Sequence, residues 1–212
     1  MRSDCQGIAL VLLAALPWTA LAQTAATPAQ NLPANYPAKP VRVVVPFTAG
    51  GPNDAVLRPL TQKFHELLGQ PFVFDYRPGG GAVIGTDYVA KAPPDGYTLL
   101  VTSATFTINA ATYARLPYDI VRDFAPVSTI ATGNIVFLVN PVVPVRTVGE
   151  FVALARSRPG KITYGSSGIG GSLHLAGELL SVTAGISTMH VPYKGAVQAI
   201  TDVMGGHVDS MF

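Results

Sequence analysis

Two glycine-rich loops carry the residues best suited to chemistry in this 212-residue chain. The first glycine loop (residues 46–54, PFTAGGPND) and the second glycine loop (residues 165–172, GSSGIGGS) each follow a strand pattern and precede a helix pattern. Such a unit directs backbone N–H groups to one point at the positive end of a helix dipole, where an anion is favoured. Two such loops in one chain predict two lobes that close on one small anionic ligand.

Neither loop matches a nucleotide-binding or hydrolase motif. No Gly-Lys-Ser/Thr follows, a dinucleotide fingerprint would require glycine in place of Leu173, and a nucleophile elbow would require glycine in place of Ile169. Two interpretations remain open. The loops bind an oxyanion through N–H groups and serine hydroxyls, or their glycines only form tight turns between strands and helices.

The basic and titratable residues near these loops are few. His174 lies one turn into the helix after the second glycine loop, where it either reaches the cleft or forms a hydrogen bond within the loop. His190 ends a predicted strand, and Lys194 follows one closely enough to pair with a ligand carboxylate, although the position favours a solvated lysine at a helix start. The histidines show no metal-ligand spacing, and the sequence predicts neither a metal nor a cofactor.

A serine hydrolase is the alternative from another functional class. A nucleophile, a base and an acid can be assembled on paper, although nothing in the sequence fixes their geometry. The candidates are Ser166 or Ser167, His174 or His190, and Asp202 or Asp209. The secreted serine hydrolase therefore stays open at this point.

Strand and helix patterns alternate along the chain, which predicts an α/β fold with a mostly parallel sheet. Residues 41–45 form a β-branched run typical of a strand buried on both faces, and Asn53 or Asp54 is expected to cap the following helix. Residues 127–130 and 135–139 are predicted strands that cross between the lobes. The chain stops within a strand pattern after residue 207, from which we expect a fragment or a truncated reading frame.

The N-terminus is predicted to be a secretory signal peptide over residues 1–22. Arg2 precedes the apolar run IALVLLAAL, and the Ala-Leu-Ala at residues 20–22 is a cleavage signal, so export to the periplasm follows. Residues 23–35 are small, polar and proline-containing, which predicts a disordered leader. Lobe 1 is expected to span residues 36–130, and lobe 2 residues 131–212.

Composition narrows the possible partners. Charged residues make up 12% of the chain and the formal net charge is +2, without a basic run, so nucleic-acid binding is not expected. Cleavage would remove Cys5, the single cysteine, and with it any thiol chemistry. After the signal peptide no apolar stretch reaches membrane-spanning length.

Several strings resemble one known family. They are YPxKPVR at residues 36–42, VPFxxGGxxDxxxR at 45–58, RPGxG at 77–81, PDGYTLL at 94–100, YGSSG at 164–168, HLAxEL at 174–179, HVPYKG at 190–195 and GGxVDxMF at 205–212. In this order they resemble the Bug-type periplasmic solute-binding receptors of the tripartite tricarboxylate transporter class. The resemblance covers essentially all of the predicted mature chain.

This resemblance implies a two-lobed periplasmic binding protein of type II, a "Venus flytrap", with the C-terminal part missing. Such receptors are non-enzymatic, capture small carboxylates and deliver them to separate membrane permease subunits, and we expect a monomer. A receptor reused as the ligand-binding partner of a sensor protein is a further alternative. Family members continue beyond the last residue here, so the resemblance predicts additional elements that complete both lobes.

The resemblance also implies a set of ligand-binding residues, matched motif by motif. In lobe 1 they are Pro46, Phe47, Gly50, Gly51, Asp54, Ser103, Thr105 and Asn109, and in lobe 2 Ser166, Gly168, Gly170, Ser172, His174, Tyr193, Lys194 and Gly195. In this family backbone amides and waters hold one ligand carboxylate, which agrees with the few cationic side chains in the loops. Tyr76 departs from the pattern, since the family usually has Asn before Arg-Pro.

Overall fold

The computed structural model describes residues 35–212. The predicted signal peptide, and all but the last residue of the predicted leader, lie outside this part. The helices are α1 Pro52–Leu68, α2 Val83–Ala90, α3 Thr105–Thr112, α4 Val148–Ser157, α5 Ser172–Ala184 and α6 Ala196–Met204. The strands are β1 Val41–Val45, β2 Phe72–Tyr76, β3 Thr98–Leu100, β4 Leu138–Val139, β5 Thr163–Ser166, β6 Met189–Pro192 and β7 Ser210–Met211.

These strands form two separate sheets. The first sheet has the order β2-β1-β3 and is parallel throughout. The second has the order β4-β7-β5-β6, in which β5 pairs in parallel with β6 and β7 while the short β4 runs antiparallel to β7. The predicted α/β class with mostly parallel pairing is confirmed.

Strand β1 is the centre of the first sheet because its side chains tolerate burial on both faces. Val41, Val43, Val44 and Val45 are at most 2% exposed, and only Arg42 reaches solvent. Val43 and Val45 pack with Leu57 of α1 to form the core of this sheet. β-Branched residues in the middle of a parallel sheet are the expected solution for such a strand.

The ends of several helices follow local sequence signals. Helix α1 has a proline in its first turn and ends at Gly69, whose φ of 72° lets its N–H reach the His65 carbonyl. At α4 the Thr147 hydroxyl accepts the Glu150 N–H at 3.2 Å, as in a capping box. These boundaries were predictable because each depends on residues within one turn of the helix end.

Two local predictions are wrong. Residues 127–137 contain no strand, and only Leu138–Val139 of the predicted pair of strands is extended and paired. Val127 is 87% exposed. This exposure agrees with the lack of a partner strand for this stretch within the described part of the chain. The cap of α1 is Gly51 rather than Asn53 or Asp54, and no side chain caps it directly.

Candidate functional site

Both glycine loops lie where a central strand ends and a helix begins. The first follows β1 and leads into α1, and the second follows the start of β5 and leads into α5. Their N-cap residues, Gly51 and Gly171, have extended backbones. Each loop therefore ends directly at the N–H groups of the first helical turn. Each sheet therefore contributes one loop of the kind that favours an anion.

Side chains already accept several of the N–H groups in these loops. The Gly50 N–H donates to Asp54 Oδ2 at 2.7 Å, the Gly168 N–H to Ser166 Oγ at 3.2 Å, and the Gly170 N–H to His174 Nδ1 at 3.1 Å. In this structure these three donors therefore stabilise the loops themselves.

Asp54 anchors the first glycine loop. Its Oδ2 accepts hydrogen bonds from the Tyr76 hydroxyl at 2.8 Å and from Arg58 at 3.2 Å, in addition to the Gly50 N–H. Burial opposes ionisation of this carboxyl, but the three hydrogen bonds and the Arg58 charge outweigh it and lower the pKa of Asp54. Tyr76, which departs from the family pattern, therefore supports the first glycine loop through its hydrogen bond to the Asp54 carboxylate.

A histidine cluster, composed of His174, His190, Tyr164, Ser166 and Glu178, supports the second glycine loop. The two imidazole rings stack with centroids 4.1 Å apart, and the Ser166 hydroxyl lies 2.7 Å from His190 Nε2. Burial, helped by the neighbouring His174, lowers the pKa of His190 to about 4. Burial also raises the pKa of Tyr164, whose hydroxyl donates to Glu178 at 2.5 Å.

The second glycine loop lies against α3 and a glycine turn (residues 79–82). The Ser172 N–H donates to Thr105 Oγ1 at 3.4 Å. The Asn109 amide donates to the Gly81 carbonyl at 2.8 Å. A Cβ built on Gly81 would lie 2.5 Å from the Ile169 carbonyl oxygen, so only glycine permits this approach. We call this contact the α3 seam.

The first glycine loop meets the start of α6 in a second contact. A Cβ built on Gly195 would lie 3.0 Å from Thr48 Cβ and 3.2 Å from the Thr48 nitrogen. Gly50 lies near Val197, whose Cγ2 would be 3.9 Å from a Cβ at that glycine. We call this contact the Thr48–Gly195 seam. Both seams join residues of the first sheet's half to residues of the second's.

The predicted site residues fall into two groups. The α3 seam brings together Thr105, Asn109, Gly168, Gly170 and Ser172, with His174 behind them, and the Thr48–Gly195 seam contains Gly50 and Gly195. The other predicted residues support the loops or lie elsewhere. These are Gly51 and Asp54 at the start of α1, Ser166 in the histidine cluster, Pro46, Phe47, Ser103, Tyr193 and Lys194.

The last five of these residues have other surroundings. Pro46 is fully buried, and Phe47 packs against the core of the first sheet. Tyr193 donates its hydroxyl to Asp202 at 2.5 Å, and Lys194 is exposed. Ser103 lines a cleft of about 370 Å³ that α1, residues 100–104 and residues 128–131 enclose, and its hydroxyl donates at 3.2 Å to Thr105 Oγ1, the oxygen that accepts the Ser172 N–H.

Sequence reasoning missed Thr48, Gly81 and Tyr113. Gly81 belongs to a run of three glycines, which is a sequence signal for an unusual turn, since residues 79–82 all have positive φ. Tyr113 contacts the second loop near Gly170 and donates its hydroxyl to the Gly80 carbonyl at 3.1 Å. Thr48 has no sequence signal beyond its place in the first loop.

The geometry for a serine nucleophile is poor. Ser166 is fully buried, and its hydroxyl is engaged with Gly168 and His190. Asp209 accepts from Thr163, and Asp202 from Tyr193. Among residues 35–212 no carboxylate hydrogen-bonds to His190, and no group of three metal-ligating side chains is present. No helix in the same range is long and apolar enough to cross a membrane.

Comparison with known proteins identifies the family. Residues 56–212 match the tripartite tricarboxylate transporter family receptor. Protein BugT of Bordetella pertussis is 36% identical over 175 residues, which are 82% of this chain and 54% of that protein. The chain thus spans about half the length of the curated relatives it matches.

Two solved structures share the fold. An R. palustris protein with adipate has a TM-score of 0.79 at 36% identity, over 83% of this chain and 59% of the other. MatC from Rhodopseudomonas palustris, with bound malate, has a TM-score of 0.78 at 30% identity, over 83% and 60%. The predicted periplasmic binding protein fold and the Bug-type resemblance are confirmed, and the chain belongs to the tripartite tricarboxylate transporter family of receptors.

Proposed function

We propose that this protein is a non-enzymatic periplasmic receptor that binds a small carboxylate and delivers it to separate membrane permease subunits. The observation that carries the proposal is that two glycine loops, one from each sheet, both lie on seams between the same two halves. Similar proteins were solved with adipate and with malate, which are dicarboxylates. Family membership favours this function over the serine hydrolase.

The proposed organisation follows the sequence analysis. Residues 1–22 act as a signal peptide and residues 23–35 as a leader, and the monomeric receptor has lobes at residues 36–130 and 131–212. The lobes close when the ligand carboxylate meets the glycine loops, which is a change in the population of open and closed states. The ligand contacts come from both seams, and Lys194 at the surface adds only a long-range positive charge.

Isothermal titration with adipate, malate and other small carboxylates tests the receptor. We expect a saturable heat at one ligand per protein and none with the corresponding uncharged diols. The absence of heat with every carboxylate would contradict the proposal. Reaction of Ser166 or Ser167 with a fluorophosphonate probe would support the hydrolase instead.

A substitution tests whether the ligand site lies at the α3 seam. Thr105→Val keeps the side-chain shape but removes the oxygen that accepts the Ser172 N–H, so we expect two- to tenfold weaker binding, as for one hydrogen bond of about 0.5–1.5 kcal/mol. Thr107→Val, on the exposed face of the same helix, is the matched control and should bind normally. Equal losses in both variants would place the site elsewhere.

A further inference from the structure

Three helices use the same device at their N-termini. A side chain three residues after the N-cap accepts the N–H of the residue just before the N-cap, across four positions of sequence. The pairs are Asp54 with the Gly50 N–H at 2.7 Å, Glu150 with the Arg146 N–H at 2.6 Å, and His174 with the Gly170 N–H at 3.1 Å. The acceptor is a carboxylate at α1 and α4, but an imidazole at α5.

This difference makes the second glycine loop responsive to protons. A carboxylate stays an acceptor above about pH 5, whereas imidazole Nδ1 accepts only while the ring is neutral with its proton on Nε2. When His174 is protonated, both ring nitrogens are donors, so the Gly170 N–H loses its acceptor. The same change places a positive charge beside the loop.

The surroundings of His174 can accommodate that charge. Glu178 Oε1 lies 3.8 Å from Nε2 and accepts the Tyr164 hydroxyl at 2.5 Å. His190 faces the ring from β6, and the Tyr113 ring of α3 lies near Gly170. Because burial and the neighbouring His174 lower the pKa of His190 to about 4, His190 is neutral between pH 6 and 8.

We propose that His174 is a positioning residue whose protonation strengthens ligand binding, because it releases the Gly170 N–H to the ligand carboxylate and adds a positive charge behind the loop. This inference rests on the proposed function. Binding of the anion then takes up protons, because a ligand favoured by the protonated state favours protonation in return. Protonation of His174 therefore raises the affinity for the anion.

An NMR measurement without ligand tests the hydrogen bond from the Gly170 N–H to His174 Nδ1. The amide resonance of Gly170 is followed by ¹⁵N–¹H NMR from pH 8 to pH 5.5 in the wild type, in His174→Asn, whose side-chain oxygen accepts without titrating, and in His65→Asn on the exposed side of α1. We expect one titration of the Gly170 signal in the wild type and in His65→Asn, and none in His174→Asn. A Gly170 signal that does not titrate, or that titrates in all three proteins, overturns the proposal.

Calorimetry with malate and adipate at pH 6.2 and 8 tests the consequence. We expect several-fold tighter binding by the wild type at the lower pH, with a ceiling of tenfold per pH unit for one coupled proton, and equal affinities for His174→Asn. His174→Gln replaces that variant if its NMR spectrum shows that it is unfolded. Binding with the same affinity at both pH values overturns this inference and leaves the receptor function intact, whereas no binding at either pH overturns both.

Discussion

Replacing Gly195 with alanine tests whether the two halves meet in the bound state as they do in this structure. The added Cβ would overlap the Thr48 hydroxyl and lie 3.0 Å from Thr48 Cβ and 3.2 Å from the Thr48 nitrogen. Rotation of the Thr48 side chain relieves the first overlap only. Since carbon atoms pack best at about 3.5–4.0 Å, the seam has to open by roughly 0.5–1 Å.

The free-energy cost of the methyl group added by Gly195→Ala falls on the closed state alone. Inserting a methyl group into a packed contact costs about 1–3 kcal/mol. If the open state has no contact at this seam, the ligand has to overcome this cost, and the dissociation constant rises about 5- to 150-fold. Unfolding should change little, because the halves can part without losing either core.

Titration calorimetry with malate or adipate measures this loss of affinity. Gly133→Ala is the matched control, since a Cβ there would meet nothing within 4 Å. Thr48→Gly combined with Gly195→Ala should recover part of the affinity by removing the Thr48 Cβ that lies 3.0 Å from the added carbon. Wild-type affinity in Gly195→Ala would refute the seam as part of the bound state.

Two further substitutions test the supports of the glycine loops. Gly177→Ala in α5 would place a Cβ 2.6 and 2.7 Å from ring carbons of the buried Tyr164, so we expect a loss of about 1–3 kcal/mol and a Tm lower by about 2–4 °C per kcal/mol, whereas Gly149→Ala in α4 should not destabilise. For Asp54→Asn we expect a loss of about 1–3 kcal/mol at pH 7. Because the lowered pKa of Asp54 gives stability that is complete above the unfolded-state value of about 3.9 and is lost as the pH falls through the folded-state pKa, the difference from the wild type should shrink below pH 4. Urea denaturation of Asp54→Asn and the wild type at pH 7 and pH 3 measures this difference in the free energy of unfolding. A difference that does not change with pH would contradict the role of the Asp54 charge.

Elements whose signals are local can be located from the sequence. The valine run of β1, the glycine that ends α1 and the capping box of α4 each depend on neighbours in the chain. Sequence reasoning failed at residues 127–137, because an apolar run indicates a strand but not its partner. A strand forms only where a partner strand is present.

The candidate site was predicted in part for the same reason. The loops were found because glycine and serine spacing is visible in the sequence, and family motifs singled out Thr105 and Asn109. The sequence left open whether His174 forms a hydrogen bond within its loop, which the structure shows, and it indicated Asp54 as a helix cap or, by family resemblance, a ligand-binding residue, and not as an acceptor for the Gly50 N–H.

The sequence by itself determined the α/β class, the two glycine loops and the family, since periodicity and motif spacing persist without coordinates. Only the tertiary structure decided which loop N–H groups are occupied and which backbones touch. Those facts depend on residues far apart in the chain, such as Gly81 with Ile169 and Thr48 with Gly195, whose approach distances are set by how the two halves pack.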